Sequence, residues 1–346
     1  MTPIRNARYI LTGIPQDYPE EGKHMRYDDS QTIELDNEPL NGGVLIKTLV
    51  VSLDPYLRSR MRDAGVEGYV PAFPMNGPFE SSAVGLIVRS EHKDFEAGDH
   101  VTSAAGFPHQ EYFVWKDMSD LQKLPSEEGL PWSLYIGVLG LPGQTAYMSW
   151  KEFSHAKKEQ TIFVSTAAGA VGSVVVQLAK MDGLKVIASS GSDEKAKFAR
   201  ECGADVSFNY KKQNTEEILR EHGPIDIYYD NVGAQTLDLA FKYAAKQARF
   251  IICGMITTLN EGRKTYAFQN IFEIVAKEIS LHGFLWASLR PRYVKQFFDE
   301  VPKLVREGKI KYQEDRSYGL DKVGEALLQV HTGVNHGKKV VVVAED

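Results

Sequence analysis

The chain has 346 residues, 43% hydrophobic and 25% charged, a balance that supports a large buried core in two domains or one large one. The formal net charge of -6 argues against a general nucleic-acid binder, and no apolar run is long enough to cross a bilayer. Met1 to Asn6 lacks the apolar core of a signal peptide, and two cysteines, Cys202 and Cys253, exclude a disulfide framework, so a cytoplasmic chain with reduced thiols is expected.

Residues 1 to about 135 carry strand signals. Val44 to Val51 is a β-branched run, and Ala83 to Val88 is another with Gly85 inside it. His100 to Thr102 and Tyr112 to Trp115 are shorter. Turn clusters at Asn41-Gly42-Gly43, Pro71 to Pro78 and Ala97-Gly98-Asp99 separate these runs. Strands and helices do not alternate here, so residues 1–135 are expected to form a mostly β domain.

The pattern changes at Leu141-Pro142-Gly143, where Gln144 to Phe153 reads as a helix. Thr161 to Gly172 then reads T-I-F-V-S-T-A-A-G-A-V-G. Ile162 to Val164 suits a buried strand, and Val171 to Met181 has apolar residues at helical spacing. Between them, Ala167, Gly169 and Gly172 occupy the three small positions of a dinucleotide fingerprint. Small residues let the backbone approach a pyrophosphate, and the helix start offers free N–H groups and the positive end of its dipole.

Alternation continues from there. Strands are expected at Lys185 to Ala188, Val206 to Phe208, Ile225 to Tyr229, Arg249 to Cys253 and Ile279 to Phe284. Helices are expected at Asp193 to Arg200, Thr215 to Glu221, Thr236 to Ala245, Ile271 to Lys277 and Tyr293 to Arg306. Six strands with intervening helices predict an α/β class with a doubly wound parallel sheet over residues 136–306. Lys338 to Val343 falls outside that alternation, so residues 307–346 are assigned back to the β-rich domain.

The second strand ends in Ser189-Ser190-Gly191-Ser192. Asp193 and Glu194 follow late and fit a helix N-terminus capped by Ser192. Serines with Lys195 nearby suit a ribose 2′-phosphate, which favours NADPH over NADH; a solvated helix face accounts for Lys195 equally well. Four-cysteine zinc lobes are impossible with two cysteines, and the nine histidines form no H-x-x-x-H or H-x-H pair, so no metal is expected. No Gly-x-Ser-x-Gly elbow is present. Hydride transfer is the chemistry that remains, because the cofactor itself supplies it.

Several motifs then agree. They are Ser52-Leu-Asp-Pro-Tyr-Leu-Arg58, Gly140-Leu-Pro-Gly-Gln-Thr-Ala-Tyr147, Ala167-Ala-Gly-Ala-Val-Gly-Ser173, Gly191-Ser-Asp-Glu-Lys195, Phe208-Asn-Tyr-Lys211, Asp230-Asn-Val-Gly233, Cys253-Gly-Met-Ile256 and Asn335-His-Gly-Lys338. In this order the chain resembles the zinc-free branch of the medium-chain dehydrogenase/reductases. It is most similar to the NADPH-dependent alkenal/enone reductases, which include prostaglandin, plant double-bond and curcumin reductases.

The resemblance implies a GroES-like β-barrel domain plus a Rossmann domain, usually as a homodimer. Gly169, Ala170, Val171 and Gly172 would lie under the pyrophosphate, and Lys195 and Tyr210 would contact the 2′-phosphate. Asn231, Cys253, Gly254, Met255, Ile256 and Thr257 would line the cofactor path. Phe284, Leu285, Trp286 and Asn335 would belong to the nicotinamide half. The implied activity is reduction of the carbon–carbon double bond of an α,β-unsaturated aldehyde or ketone. A quinone reductase of the same fold and a non-catalytic NADPH-binding regulatory protein are the competing readings.

One departure bears on mechanism. Where the family commonly has a run containing Tyr, this chain has Thr257-Thr258-Leu259-Asn260, and Leu259 carries no ionisable group. Tyr56, on the segment that replaces the zinc-ligand region of metal-dependent relatives, is the alternative catalytic phenol and is expected to face the cleft. Tyr69 and Tyr266 are weaker alternatives.

Overall fold

Val44–Ser52, V-L-I-K-T-L-V-V-S, is buried at every position but Lys47, because strands cover both of its edges and side chains cover both of its faces. The structure is a computed structural model that describes residues 2–126, 129–260 and 265–346. Two units divide the chain, one of Met1–Gly137, Glu314–Asn335 and Lys339–Asp346, the other of Val138–Gln313 and His336–Lys338.

In the first unit Val44–Ser52 belongs to a seven-stranded sheet and pairs antiparallel with Ala83–Ser90, Tyr112–Trp115 and Lys338–Val342. Val341 lies opposite Val51, so the far C-terminal strand joins a sheet built mainly from the N-terminal third. Gly85 is required here: a Cβ on it would lie 2.2 Å from a methyl of Ile46. Tyr9, Phe73, Phe79 and Phe107 fill the core with Leu57 and Leu327.

Two buried histidines are expected to make this unit acid-sensitive. His109 lies beside the Ser81 hydroxyl, Nε2 to Oγ 2.7 Å, and burial with Arg60 nearby pushes its imidazole down to about 3. Burial pushes His331 down to about 4. The unfolded chain takes up protons at these groups below about pH 6.5 while the folded chain does not, so each lowers stability by about 1.4 kcal/mol per pH unit below that point. That contribution is intact at pH 7.5 and erodes as pH falls toward the folded values. Melting temperature is therefore expected to drop by several degrees between pH 7.5 and pH 5, with a shallower slope in His109→Gln. Equal melting temperatures at the two pH values would contradict this account.

In the second unit six parallel strands, Thr161–Val164 (β1), Lys185–Ser190 (β2), Val206–Asn209 (β3), Ile225–Asp230 (β4), Ala244–Ile252 (β5) and Ser280–Gly283 (β6), lie in the order β3-β2-β1-β4-β5-β6. The order reverses between β1 and β4, the place where such sheets leave a crevice at their strand ends. Phe163 stacks on Tyr228 at 5.1 Å and Phe250 on Phe241 at 5.3 Å, which ties the strands to the helix Ala234–Tyr243 packed on the sheet.

Several elements differ from their expected bounds. β5 begins at Ala244 rather than Arg249, because Ala244 pairs with Ile225. The helix expected at Ile271 to Lys277 is the single turn Glu273–Ala276. The helix expected from Tyr293 starts at Trp286 and runs to Arg306 through Pro291 and Pro302. Leu289, Phe297, Val301 and Val305 are buried along one side of it, and Phe297 meets the Tyr147 ring edge-on at 5.6 Å. That burial outweighs the backbone bonds the two prolines remove.

Candidate functional site

The turn after β1 is anchored at both ends of the reversal. Ser165 N–H donates to Tyr229 O at 3.2 Å on β4, and Ala167 N–H donates to Ser189 O at 2.9 Å on β2. Gly172 opens the helix Gly172–Met181, and a Cβ there would lie 2.3 Å from the Thr166 carbonyl oxygen, so only glycine fits. Gly169 is less constrained, with its nearest neighbours at 3.1 and 3.2 Å. No side chain caps this helix, and the N–H groups of Ala170, Val171 and Gly172 have no partner among the described residues. Open donors at a helix start form an anion cradle.

The end of β2 carries a second feature. Ser189 and Ser190 are buried, and Ser190 Oγ has no partner among the described residues. Tyr210 lies over Gly191, where a Cβ would come within 3.1 Å of its hydroxyl, and the residue is 51% exposed. Ser192 Oγ accepts from Lys195 N–H at 3.2 Å and caps the helix. Asp193 accepts from Asn209 at 2.8 Å and pairs with Lys212 at 2.5 Å, which holds its carboxyl below the usual range. Its charge is thus already matched, while serines, Tyr210 and Lys195 make up the rest of this corner.

Asn231 follows β4 and donates from Nδ2 to Ser165 O at 2.7 Å, bracing the glycine turn. Cys253 and Gly254 N–H groups both donate to Asp230 O, at 2.9 and 3.0 Å. Burial pushes the Cys253 thiol up to about 12, so it stays neutral and is no nucleophile. Met255 lies over Gly233, and Ile256 and Thr257 begin the turn Ile256–Asn260, which also carries Leu259. Phe284 packs on Phe153 at 5.8 Å, Leu285 is exposed, and Trp286 Nε1 donates to Gln144 at 3.1 Å. Tyr266 meets Phe268 edge-on at 5.1 Å. All these residues belong to the second unit.

Tyr56 and Asn335 belong to the first unit. Tyr56 precedes the short helix Leu57–Arg60 and packs against the core. Burial and the neighbouring Asp54 raise its phenol above the ordinary tyrosine value, so it stays protonated at neutral pH. Ser59 Oγ donates to Tyr56 O at 2.6 Å and approaches Tyr69 OH at 3.4 Å, which brings the two tyrosines to one serine. Arg58 is committed elsewhere, to the carbonyls of Pro15 and Asp17 at 2.8 and 3.0 Å.

Known proteins match this arrangement along its length. Family models described as N-terminal domain of oxidoreductase and as zinc-binding dehydrogenase match residues 8–124 and 170–303. A zinc-type alcohol dehydrogenase-like protein of Schizosaccharomyces pombe is 36% identical over 95% of both chains. A 2-alkenal reductase (NADP(+)-dependent) of Nicotiana tabacum is 36% identical over 99% of both. The crystal structure of CurA in complex with NADPH from Vibrio vulnificus superposes with a TM-score of 0.89 at 28% identity, covering 98% of this chain and 100% of the other. The chain belongs to the medium-chain dehydrogenase/reductase family.

Zinc is a cofactor that the family model's description raises for a medium-chain dehydrogenase/reductase. The donors here do not fit it: among the described residues no three His, Cys, Asp or Glu side chains gather, Cys202 is buried, and Cys253 is held neutral beside Tyr229. A dinucleotide fits, since the open N–H groups and Gly172 leave room for its diphosphate. Two residues here were given no role by the sequence: Ser165 and Asp230. Ser165 lies inside the Thr161–Gly172 stretch and Asp230 opens the Asp230–Gly233 motif, yet no spacing rule tells that they bridge β1 and β4.

Proposed function

We propose that this chain is an NADPH-dependent oxidoreductase that reduces the carbon–carbon double bond of α,β-unsaturated aldehydes or ketones. The uncapped turn at Gly169–Gly172 carries the reading, supported by the likeness to the tobacco reductase over nearly the whole chain. The second unit serves as the cofactor domain and the first as the substrate domain. In this reading the N–H groups of Ala170, Val171 and Gly172 take the diphosphate, Lys195 and Tyr210 the 2′-phosphate, and Asn231, Cys253–Thr257, Phe284–Trp286 and Asn335 the rest of the cofactor.

The chemistry NADPH would supply when bound is a hydride for the β-carbon. Negative charge then gathers on the carbonyl oxygen, and Tyr56, protonated at neutral pH, donates a hydrogen bond to it. Water supplies the proton that ends on the α-carbon. No metal ion takes part. A cytoplasmic setting completes the reading, with Cys202 and Cys253 as free thiols; among the described residues no helix is long and apolar enough to cross a membrane.

The test follows NADPH absorbance with a panel of enals, enones and quinones, with and without chelator. Turnover of enals or enones is expected, unaffected by chelation. Faster quinone turnover would favour the quinone reductase, and no turnover with any acceptor would favour a binding protein. Tyr56→Phe is expected to lower kcat roughly ten-fold or more with NADPH affinity intact. An unchanged kcat, where deuterated NADPH shows hydride transfer to limit the rate, would make Tyr56 structural.

A homodimer belongs to the same proposal. Among the described residues β6 has no strand on its outer side, and Phe272 and Val275 are 72% and 70% exposed, an apolar burden that a second copy would cover. Light scattering should report twice the 38.7 kDa chain mass; a monomer at micromolar concentration would end this part.

A further inference from the structure

We propose that Asp230 is a positioning residue whose buried carboxyl sets the register of the three segments assigned to the cofactor, Ser165–Gly172, Asn231–Gly233 and Cys253–Thr257. The inference rests on the dinucleotide reading above. Asp230 ends β4, at the reversal of strand order, and is fully buried. Among the described residues one carboxylate oxygen makes all of the side chain's hydrogen bonds: Oδ1 accepts from Tyr228 OH at 2.7 Å, Val232 N–H at 2.8 Å, Gly233 N–H at 2.9 Å and, more distantly, Ser165 Oγ at 3.4 Å. Those bonds fold the chain back on itself after β4, with Gly233 at a φ of 76° that suits glycine.

The folded turn then holds its neighbours. Asn231 donates twice to Ser165, from its N–H to Oγ at 2.9 Å and from Nδ2 to the carbonyl at 2.7 Å. Ser165 precedes Thr166, whose carbonyl accepts from Gly169 N–H at 2.9 Å and sits where a Cβ on Gly172 would go. On the other side, Asp230 O receives the N–H groups of Cys253 and Gly254, while Ile256 and Thr257 N–H reach Asn231 O and Val232 O at 3.4 and 3.3 Å. One residue thus meets all three segments directly or through Asn231 and Val232.

The electrostatics support a positioning role. Burying a carboxyl is costly, and here burial raises its pKa. The other oxygen, Oδ2, is buried and has no partner among the described residues. An asparagine side chain offers the same single acceptor, so Asp230→Asn should keep the turn. Alanine leaves the Tyr228 hydroxyl and two N–H groups without an acceptor and frees the turn.

The experiment titrates NADPH and adenosine 2′-monophosphate against the full-length wild type, Asp230→Asn and Asp230→Ala by calorimetry. The small ligand reports the corner of Ser190, Lys195 and Tyr210, none of which Asp230 touches. Asp230→Ala is expected to weaken NADPH at least ten-fold and adenosine 2′-monophosphate less than two-fold. Asp230→Asn should bind NADPH within about three-fold of wild type. Should Asp230→Ala fail to fold, Tyr228→Phe removes one donor and is expected to show the same selective loss, several-fold in size. NADPH binding unchanged in these variants, or both ligands weakened alike, would overturn the proposal. A wild type that binds neither ligand would instead defeat the dinucleotide reading.

Discussion

Gly172→Ala is expected to weaken NADPH binding by about ten- to a hundred-fold, because overpacking at a closed site costs ~1–3 kcal/mol. The added methyl carbon would lie 2.3 Å from the Thr166 carbonyl oxygen and 3.0 Å from Ala167 Cα. Both are backbone atoms, and Ala167 is tied to Ser189, so neither yields without opening the turn. The helix start would move, and with it the N–H groups of Ala170 to Gly172. Gly169→Ala is the control. Its methyl would meet a Thr166 side-chain methyl at 3.1 Å and the Thr166 carbonyl at 3.2 Å, which small shifts relieve. A loss of a few-fold at most is expected. Calorimetry on the two variants decides it: wild-type affinity in Gly172→Ala would show that the turn does not carry the cofactor.

Lys195→Ala should weaken NADPH by about ten- to a hundred-fold and leave NADH within two-fold, since a charge-assisted hydrogen bond contributes ~1.5–3 kcal/mol. The corner suits a phosphate more than a bare ribose. Asp193, the acid nearest the end of β2, is turned to Asn209 and Lys212. A ribose 2′-hydroxyl is usually held by a carboxylate, which Asp193 does not offer, whereas Ser190 Oγ and the Tyr210 hydroxyl can donate to phosphate oxygens. The ratio of kcat/KM for the two nicotinamide cofactors measures the effect. An equal fall for both would mean that Lys195 supports the helix rather than reading the 2′-phosphate.

How much of this was legible beforehand follows the range of each interaction. The glycine turn announces itself within twelve residues, because its requirements for small side chains, a preceding strand and a following helix are local. Alternation of apolar strands with amphipathic helices likewise predicts the six-stranded parallel sheet, and β-branched runs predict the Val44–Ser52 and Ala83–Ser90 strands. The helix Val323–Thr332 went unmarked, although it lies in the segment assigned back to the β-rich domain. Its buried face, including Val323, Ala326, Leu327 and Val330, becomes meaningful only against the core it joins.

Local sequence therefore determined most strands and helices of the second unit, the glycine turn after β1 and why glycine must stand at Gly172, since turn sterics and side-chain periodicity act between near neighbours. Tertiary structure alone decided the partners. It put Asp230 at the hub of segments far apart in the chain, joined Ser59 to both Tyr56 and Tyr69, turned Asp193 to Lys212, and carried a helix through Pro291 and Pro302. Each of these depends on hydrogen bonds or burial between residues whose separation in sequence says nothing of their distance in space, so packing, not pattern, sets them.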